Sequence, residues 1–471
     1  MEAQGTRIFG GGKVLLQETE RDLTPFGGIV VFLEFLSRIG FVEKVMECMP
    51  IVHRSPNSIP PAQTYVAFLI SVAAGARRFA QTSWLRGDRA LHGLLGIDRF
   101  PSDDTIRNLF LKFGMGDVQR FFEPMTEWMM GRLPQRAEGH SLDLDSTVFE
   151  RHGQQQEGAA KGYNPRRPGR LSHHPLLAVL AESHFVMHGW LRSGNSGTGR
   201  GVTEFLKEAL ALWGERGTLR VVRADAGFFD KELFGFLEER KIPYIVVARF
   251  TKCVKREVTR ITEWRALDGD YAVGECEIKL MGWARSRRFV VVRERIRESK
   301  ASVGKKLIDL PEYTFRVLVT SLCAAPEEIW RDYNRRADME NRIAELKHDL
   351  GADRFCLKDF YATDAVFRSV LLLFNLLSEF RRASGLPQHK EPATLRSAIF
   401  LCGAELQRQG EELVLMLSTA WGGLKPRIPL INSILAWSFT VSPKLPPRTC
   451  PRPCNLSRLD PAGKPQSMLM A

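Results

Sequence analysis

The stretch from Tyr333 to Lys347, YNRRADMENRIAELK, constrains this chain more than any other. It holds no Gly or Pro and is rich in Arg, Ala, Glu, Leu and Met, so it is expected to be a helix. At 100° per residue Tyr333, Arg336, Glu340 and Lys347 fall on one stripe, with Met339, Ile343 and Leu346 on an apolar stripe beside it. Asp338 and Glu345 project the other way. One edge of such a helix seats in a core while Tyr, Arg, Glu and Lys face a common site. An amphipathic surface helix laced by i,i+4 charge pairs has the same pattern, so the decision rests on what partners the rest of the chain supplies.

The 67 Lys and Arg against 54 Asp and Glu leave a net charge of +13. That suits a polyanion, and charge alone does not separate nucleic acid from an acidic membrane surface. The eight cysteines have no disulfide-framework spacing, which favours reduced thiols. Cys450 and Cys454 have no second Cys or His pair near them to complete a zinc site. No signal peptide is visible after Met1. The most apolar runs, Tyr65 to Ala76 and Val370 to Leu377, are shorter than the roughly 20 residues of a spanning helix. The expectation is a soluble, cytoplasmic protein with no membrane partner. No nucleotide-binding loop of Walker type is present, so ATP is not implied.

From Phe26 to about Met130 apolar residues recur at three- and four-residue intervals, the mark of helices. At Pro101-Ser102-Asp103-Asp104 a Pro, a capping Ser and two acids precede an apolar face of Ile106, Leu109, Phe110 and Phe113. Arg107, Asn108 and Lys112 lie opposite. Helix-turn-helix DNA binding and an ordinary helical bundle both fit this pattern. The period changes at His140, where Leu142 and Leu144 alternate with Asp143 and Asp145 as in a strand. Acids within a strand are costly unless solvated or bound to a cation. A turn-rich basic loop follows, with Lys161, Arg166, Arg167 and Arg170 able to neutralise phosphates, although a solvated hairpin loop would look alike. Next come a helix from Glu204 to Leu212 and a β-rich run from Thr218 to Ala224, which ends in Asp225-Ala226-Gly227. Asp230 is the natural cap of the helix from Asp230 to Arg240, which leaves Asp225 without an obvious structural task. Pro243 to Ala248 is a further strand. Tyr271 to Leu280 and Arg287 to Arg293 read as strands within a basic segment, Thr314 to Thr320 as the last strand, and Phe367 to Phe380 as an apolar helix packing the Tyr333–Lys347 helix on the core.

Tyr, two residues, Arg, three residues, Glu, six residues, Lys resembles the signature of DDE transposases of bacterial insertion sequences, which have an RNase H-like core. Asp143-Leu144-Asp145-Ser146-Thr147 resembles their first acidic motif, with Asp145 as the acid and Asp143, two residues earlier, as the alternative. Asp225-Ala226-Gly227 resembles the second. His174-Pro175-Leu176-Leu177, Leu191 to Asn195 and the basic loop resemble the insertion-sequence group numbered 1380. The resemblance implies an α/β fold: an RNase H-like mixed-sheet catalytic core with a β-rich insertion and a helical N-terminal domain. It gives a helical DNA-binding region at 1–137, core at 138–250 and 313–440, the insertion at 251–312, and a disordered Pro- and Arg-rich tail at 441–471.

It further implies that Asp145, Asp225 and Glu340 are the catalytic residues and hold two magnesium ions, with manganese as a substitute, about 3.5–4 Å apart. Tyr333, Arg336 and Lys347 would contact DNA, with Arg166 and Arg167 on phosphates. Trp283, or else Trp264, would be a stacking platform for a base flipped out during hairpin formation, unless it covers a small sheet. The reaction implied is cleavage at the element's ends and joining of the freed 3′-hydroxyls to target DNA. The partners would be double-stranded DNA, carrying terminal inverted repeats or target, and a second copy in a homodimer, at a bacterial nucleoid. The other readings are an RNase H-like nuclease without strand transfer, and a silent DNA-binding regulator derived from a transposase.

Overall fold

The computed structural model describes residues 5–6, 13–14, 17–153, 155–296 and 313–437. The proposed tail at 441–471, Cys450, Cys454 and the end of the expected insertion lie outside them. The chain divides into two compact units, one of residues 1–46, 52–109 and 380–437 and the other of 47–51, 110–379 and 438–471.

The larger unit is built on a nine-stranded mixed sheet. In chain order its strands are β1 (His140–Ser146), β2 (Leu176–Leu180), β3 (Phe185–Trp190), β4 (Leu219–Ala224), β5 (Tyr244–Val247), β6 (Arg265–Ala266), β7 (Tyr271–Ile278), β8 (Arg287–Arg295) and β9 (Tyr313–Thr320), arranged β6-β7-β8-β9-β5-β4-β1-β2-β3. Strands β1, β4 and β5 run parallel, and every other pairing is antiparallel. The parallel trio requires crossovers, which the helices Val202–Trp213 and Lys231–Glu239 supply. Asp230 caps the second helix as its position suggests, accepting from the amides of Glu232 and Leu233. Leu142, Leu144, Val221, Val222, Ile245 and Val246 are at most 1% exposed, as expected of strands covered on both faces.

The segment expected to be a separate β-rich insertion is an extension of this sheet. β7 and β8 form a hairpin, and β8 pairs along the full length of β9. Their alternating Val and Phe residues continue the buried layer (Val273, Phe289 and Val291 are all at 0% exposure), so the hairpin gains more by joining the core edge than by closing on itself.

At the other edge, Asn375 acts as a surrogate strand for β3. It accepts from Val186 N at 2.7 Å and donates to Val186 O at 2.9 Å. It belongs to the helix Phe360–Ala383, which starts earlier than sequence suggested and is long and apolar enough to span a membrane. Within the protein 83% of its most apolar window is buried, which marks a core helix. It lies against β3 and Phe149, and its approach requires Gly189, where a Cβ would stand 2.4 Å from Leu371.

The smaller unit joins the N-terminal helices to residues far along the chain. Strand Asp22–Thr24 pairs with Ala404–Gln409, which forms a hairpin with Glu412–Leu417. Phe32 and Phe35 pack on Phe380, and Phe32 also on Phe400. The N-terminal helices therefore do not close on themselves, and the C-terminal segment completes their core. Ser102 caps the following helix as expected, accepting from Thr105 N at 3.1 Å. Arg107 is tied to Asp103 and Asp104. Cys48, Cys253, Cys276, Cys356 and Cys402 are free thiols.

Candidate functional site

The pairing of parallel strands β1 and β4 ends at Leu144 and Ala224, and the next residues are Asp145 and Asp225. The two acids therefore stand at the carboxyl ends of adjacent strands, where strand spacing is about 4.8 Å. Each is fixed by a local amide: Asp145 Oδ1 accepts from Ser146 N at 2.7 Å, and Asp225 Oδ1 from Gly227 N at 2.8 Å. Asp225 thus has a structural task after all, capping the short turn Ala226–Phe228. Burial pushes the Asp145 carboxyl up to about 6, against the pull of Arg336, and the charges of Asp225 and Glu340 add to the rise.

Asp143, the alternative to Asp145, is committed elsewhere. Arg223 of β4 holds both its oxygens, at 2.7 and 3.0 Å. Arg223 and Arg220 also bind Asp332, at 3.0 and 2.6 Å, which pins the last turn of the helix carrying Tyr333 to the sheet. Sequence reasoning missed this network. Its signal was present: Arg223 stands two residues before Asp225, as Asp143 stands two before Asp145, so a charge pair on one face of neighbouring strands was legible.

The Tyr333–Lys347 stretch is helical but not one uniform helix. An α-helix, Pro326–Asn334, gives way to a 3₁₀ turn, Arg335–Ala337, then α-helix Asp338–Ala344 and a π-turn, Glu345–Asp349. Tyr333 is packed in the core with Val221, Ile245 and Leu318. Burial raises its hydroxyl pKa, opposed by Arg336 and reinforced by Asp225. Arg336, 6% exposed, donates to Leu144 O at 2.8 Å and lies 3.1 Å from Asp145 Oδ2. Burial alone would lower its pKa, and the surrounding acids, Asp145 first, more than offset that. Glu340 is exposed, and Lys347 donates to Val148 O at 3.1 Å. The stripe thus runs alongside the end of β1.

Glu345 does not project away from the core as uniform 100° steps imply. The 3₁₀ turn Arg335–Ala337 advances about 120° per residue, which shifts the phase of the residues after it. Glu345 is 3% exposed and pairs with buried Arg342 at 2.8 Å. Glu345→Ala should therefore destabilise the fold by about 3 kcal/mol, measured by urea unfolding, while cleavage per folded molecule stays unchanged.

The basic loop is a surface feature. Lys161, Arg166, Arg167 and Arg170 are exposed. Arg167 is partly spent on Glu150 at 3.2 Å, and Arg166 is close enough to Lys347 to help lower its pKa after burial has done so. Trp283 stands elsewhere. It is 8% exposed, stacked on Phe289 with centroids 6.1 Å apart, and covered by the Arg287 guanidinium at 4.3 Å. Arg285 and Arg287 bind Glu238, and Arg288 binds Glu275. In this packing Trp283 offers a base no open face, and these arginines are already paired with carboxylates. Trp264 is likewise covered, by Arg293 at 4.3 Å.

The oxygen-only donors suit a hard divalent cation; Asp145 is raised first by burial and then by the neighbouring acids, and such a cation would favour its ionised form. The neighbouring pair Asp145 and Asp225 meets that requirement. Glu340 is exposed on the helix that passes them. Among the described residues no three His, Cys, Asp or Glu side chains stand together at metal-holding distance, and Arg336 holds one oxygen of Asp145.

The family model for transposase DDE domain group 1 matches residues 7–428. The chain belongs to the DDE transposase family. Among solved structures, the transposase is similar to a piggyBac transposase in a synaptic complex with hairpin DNA, with TM-score 0.44 and 12% identity over 81% of this chain and 83% of that chain. No curated protein matches the transposase.

Proposed function

We propose that this transposase cleaves the ends of its insertion sequence and joins the freed 3′-hydroxyls to target DNA, at a centre made of Asp145, Asp225 and Glu340 in an RNase H-like core. The observation that carries the reading is the placement of Asp145 and Asp225 at the ends of adjacent parallel strands, with the Tyr333–Lys347 stretch alongside. The strand order β3-β2-β1-β4-β5, an antiparallel meander followed by two strands parallel to the first, supports the RNase H-like assignment. The phrases around His174 and Leu191 favour the group numbered 1380.

Asp145, Asp225 and Glu340 would hold magnesium, or manganese in its place; when bound, the ions activate the attacking oxygen and stabilise the leaving one. Arg336 keeps the Asp145 carboxylate oriented and compensates its charge. Tyr333 anchors the helix, and Lys347 secures the chain just after β1. Arg166 and Arg167 lie at an exposed edge suited to phosphates, and double-stranded DNA is the partner, engaged by a homodimer. Incubating the protein with magnesium and end DNA carrying the flanking terminal repeats tests this. Joined products support it; nicked ends without joining favour a hydrolytic nuclease, and intact bound DNA a silent regulator.

The rim carries its own expectation. Each lost phosphate contact lowers the slope of log affinity against log salt by about 0.9. Arg166→Ala should lower the slope by about that amount, and Arg167→Ala by less, because Glu150 already engages Arg167. Filter binding across a salt series is the check, and equal slopes in all proteins would remove both residues from the interface.

A further inference from the structure

The residue after Asp145 is held in a way that the proposed chemistry leaves unexplained. The Ser146 hydroxyl lies between His174 Nε2 at 3.1 Å and Thr198 Oγ1 at 3.2 Å. His174 Nδ1 is 2.6 Å from Ser196 O. A carbonyl only accepts, so Nδ1 carries the proton. Burial, with a smaller contribution from Arg192, lowers the His174 pKa. The imidazole is therefore neutral, its bare Nε2 accepts the Ser146 O–H, and the Thr198 hydroxyl donates to Ser146 Oγ.

The segment that supplies Ser196 and Thr198 is itself clamped. Arg192, 8% exposed, donates to the carbonyls of His174, Gly197, Thr198 and Arg200 at 3.0, 3.3, 3.4 and 2.8 Å. Burial pulls its pKa down to about 10. On its far side Thr198 presses on the second acid's turn, since a Cβ at Gly227 would stand 2.7 Å from Thr198 Cγ2, and Gly227 N holds Asp225. Residues 196–200 are thus wedged between the turns that carry both aspartates.

We propose that His174 is a positioning residue: through Ser146 and Thr198 it fixes the orientation of the Asp145 and Asp225 carboxylates and hence their affinity for a divalent cation. This rests on the reading of those aspartates as the reacting centre. Groups one step removed from metal ligands typically change metal affinity or activity 10–100-fold when lost.

Two near-isosteres separate this role from simple loop support. In His174→Asn the amide nitrogen falls where Nδ1 was and keeps the Ser196 bond, but nothing reaches Ser146. In His174→Gln the amide oxygen reaches the Nε2 position and keeps the Ser146 bond, but the Ser196 contact is lost. Manganese affinity by calorimetry, the magnesium concentration for half-maximal cleavage and Tm are to be measured for both, with Ser146→Ala and Asp145→Asn in the same series. The expected result is a loss of about tenfold or more in metal affinity for His174→Asn and Ser146→Ala, near-normal affinity for His174→Gln, and similar Tm for all. Normal affinity in His174→Asn with loss in His174→Gln, or unchanged affinity in both, overturns the proposal. Wild-type cleavage by Asp145→Asn overturns the underlying reading instead, whereas an inert Asp145→Asn beside an unaffected His174→Asn removes the positioning role alone.

Discussion

Asp145→Asn, Asp225→Asn and Glu340→Gln should each slow end cleavage by at least about a thousandfold, equivalent to about 4 kcal/mol of transition-state stabilisation, with DNA still bound. Single-turnover cleavage beside a gel-shift titration reads both. Asp145→Asn carries a second signature in metal-free buffer. The Asp145 carboxyl has a reference value of 3.8 and rises to about 6 in the fold. Between those values the folded state holds the extra proton, so this group's contribution to stability declines as pH rises from about 4 to about 6, and the cost persists above that. The amide removes the cost but leaves Arg336 without its carboxylate. Burial is the larger effect on Asp145, ahead of Arg336, so the variant's Tm at neutral pH should equal or exceed that of the wild type, and its pH dependence between 4 and 6 should be flatter. A rate within tenfold of wild type in any of the three variants would contradict the assignment of that acid.

Arg223→Ala should destabilise the larger unit by about 3–5 kcal/mol, because it strands a buried carboxylate. Asp143 is 2% exposed, and Arg223 supplies hydrogen bonds to both its oxygens. Burial already pushes its pKa up in spite of that partner. The double variant Asp143→Leu/Arg223→Met should recover much of the loss, since replacing both ions of a buried pair is far milder than removing one. Urea midpoints of the single and double variants decide the matter, and a single variant as stable as the wild type would show that the pair is not a buried brace. The same experiment assigns Asp143 to the support of the sheet, which leaves Asp145 as the acid of the proposed chemistry.

Much of this was legible because the informative residues are locally patterned. The Leu-Asp alternation at 142–145, the Asp-Ala-Gly turn at 225–227 and the helix cap at Asp230 are short-range signals, and the strands and caps stand where those signals put them. What escaped depends on partners distant in sequence. The hairpin of β7 and β8 reads as a separate sheet until β9 is seen to pair with it. For Trp283 the sequence left open a stacking platform or the cover of a small sheet, and Phe289, Arg287 and Glu238 brought round it favour the second. Glu345 was misplaced for a geometric reason, since a projection at constant pitch cannot anticipate a 3₁₀ turn ahead of it in the same helix. The completion of the N-terminal core by residues after Phe380 is a long-range pairing of the same kind.

In the proposed centre three stretches far apart in sequence, around Asp145, Asp225 and Glu340, surround one divalent cation site. Replacing magnesium with ferrous iron, and adding ascorbate and peroxide, generates radicals that cut the backbone beside the bound ion, so the fragment ends mark the segments around it whether or not this copy transposes. The account predicts cuts near 143–147, 225–227 and 338–342, suppressed together by excess magnesium. Cuts confined to other segments, or at one of the three without the other two, would contradict it.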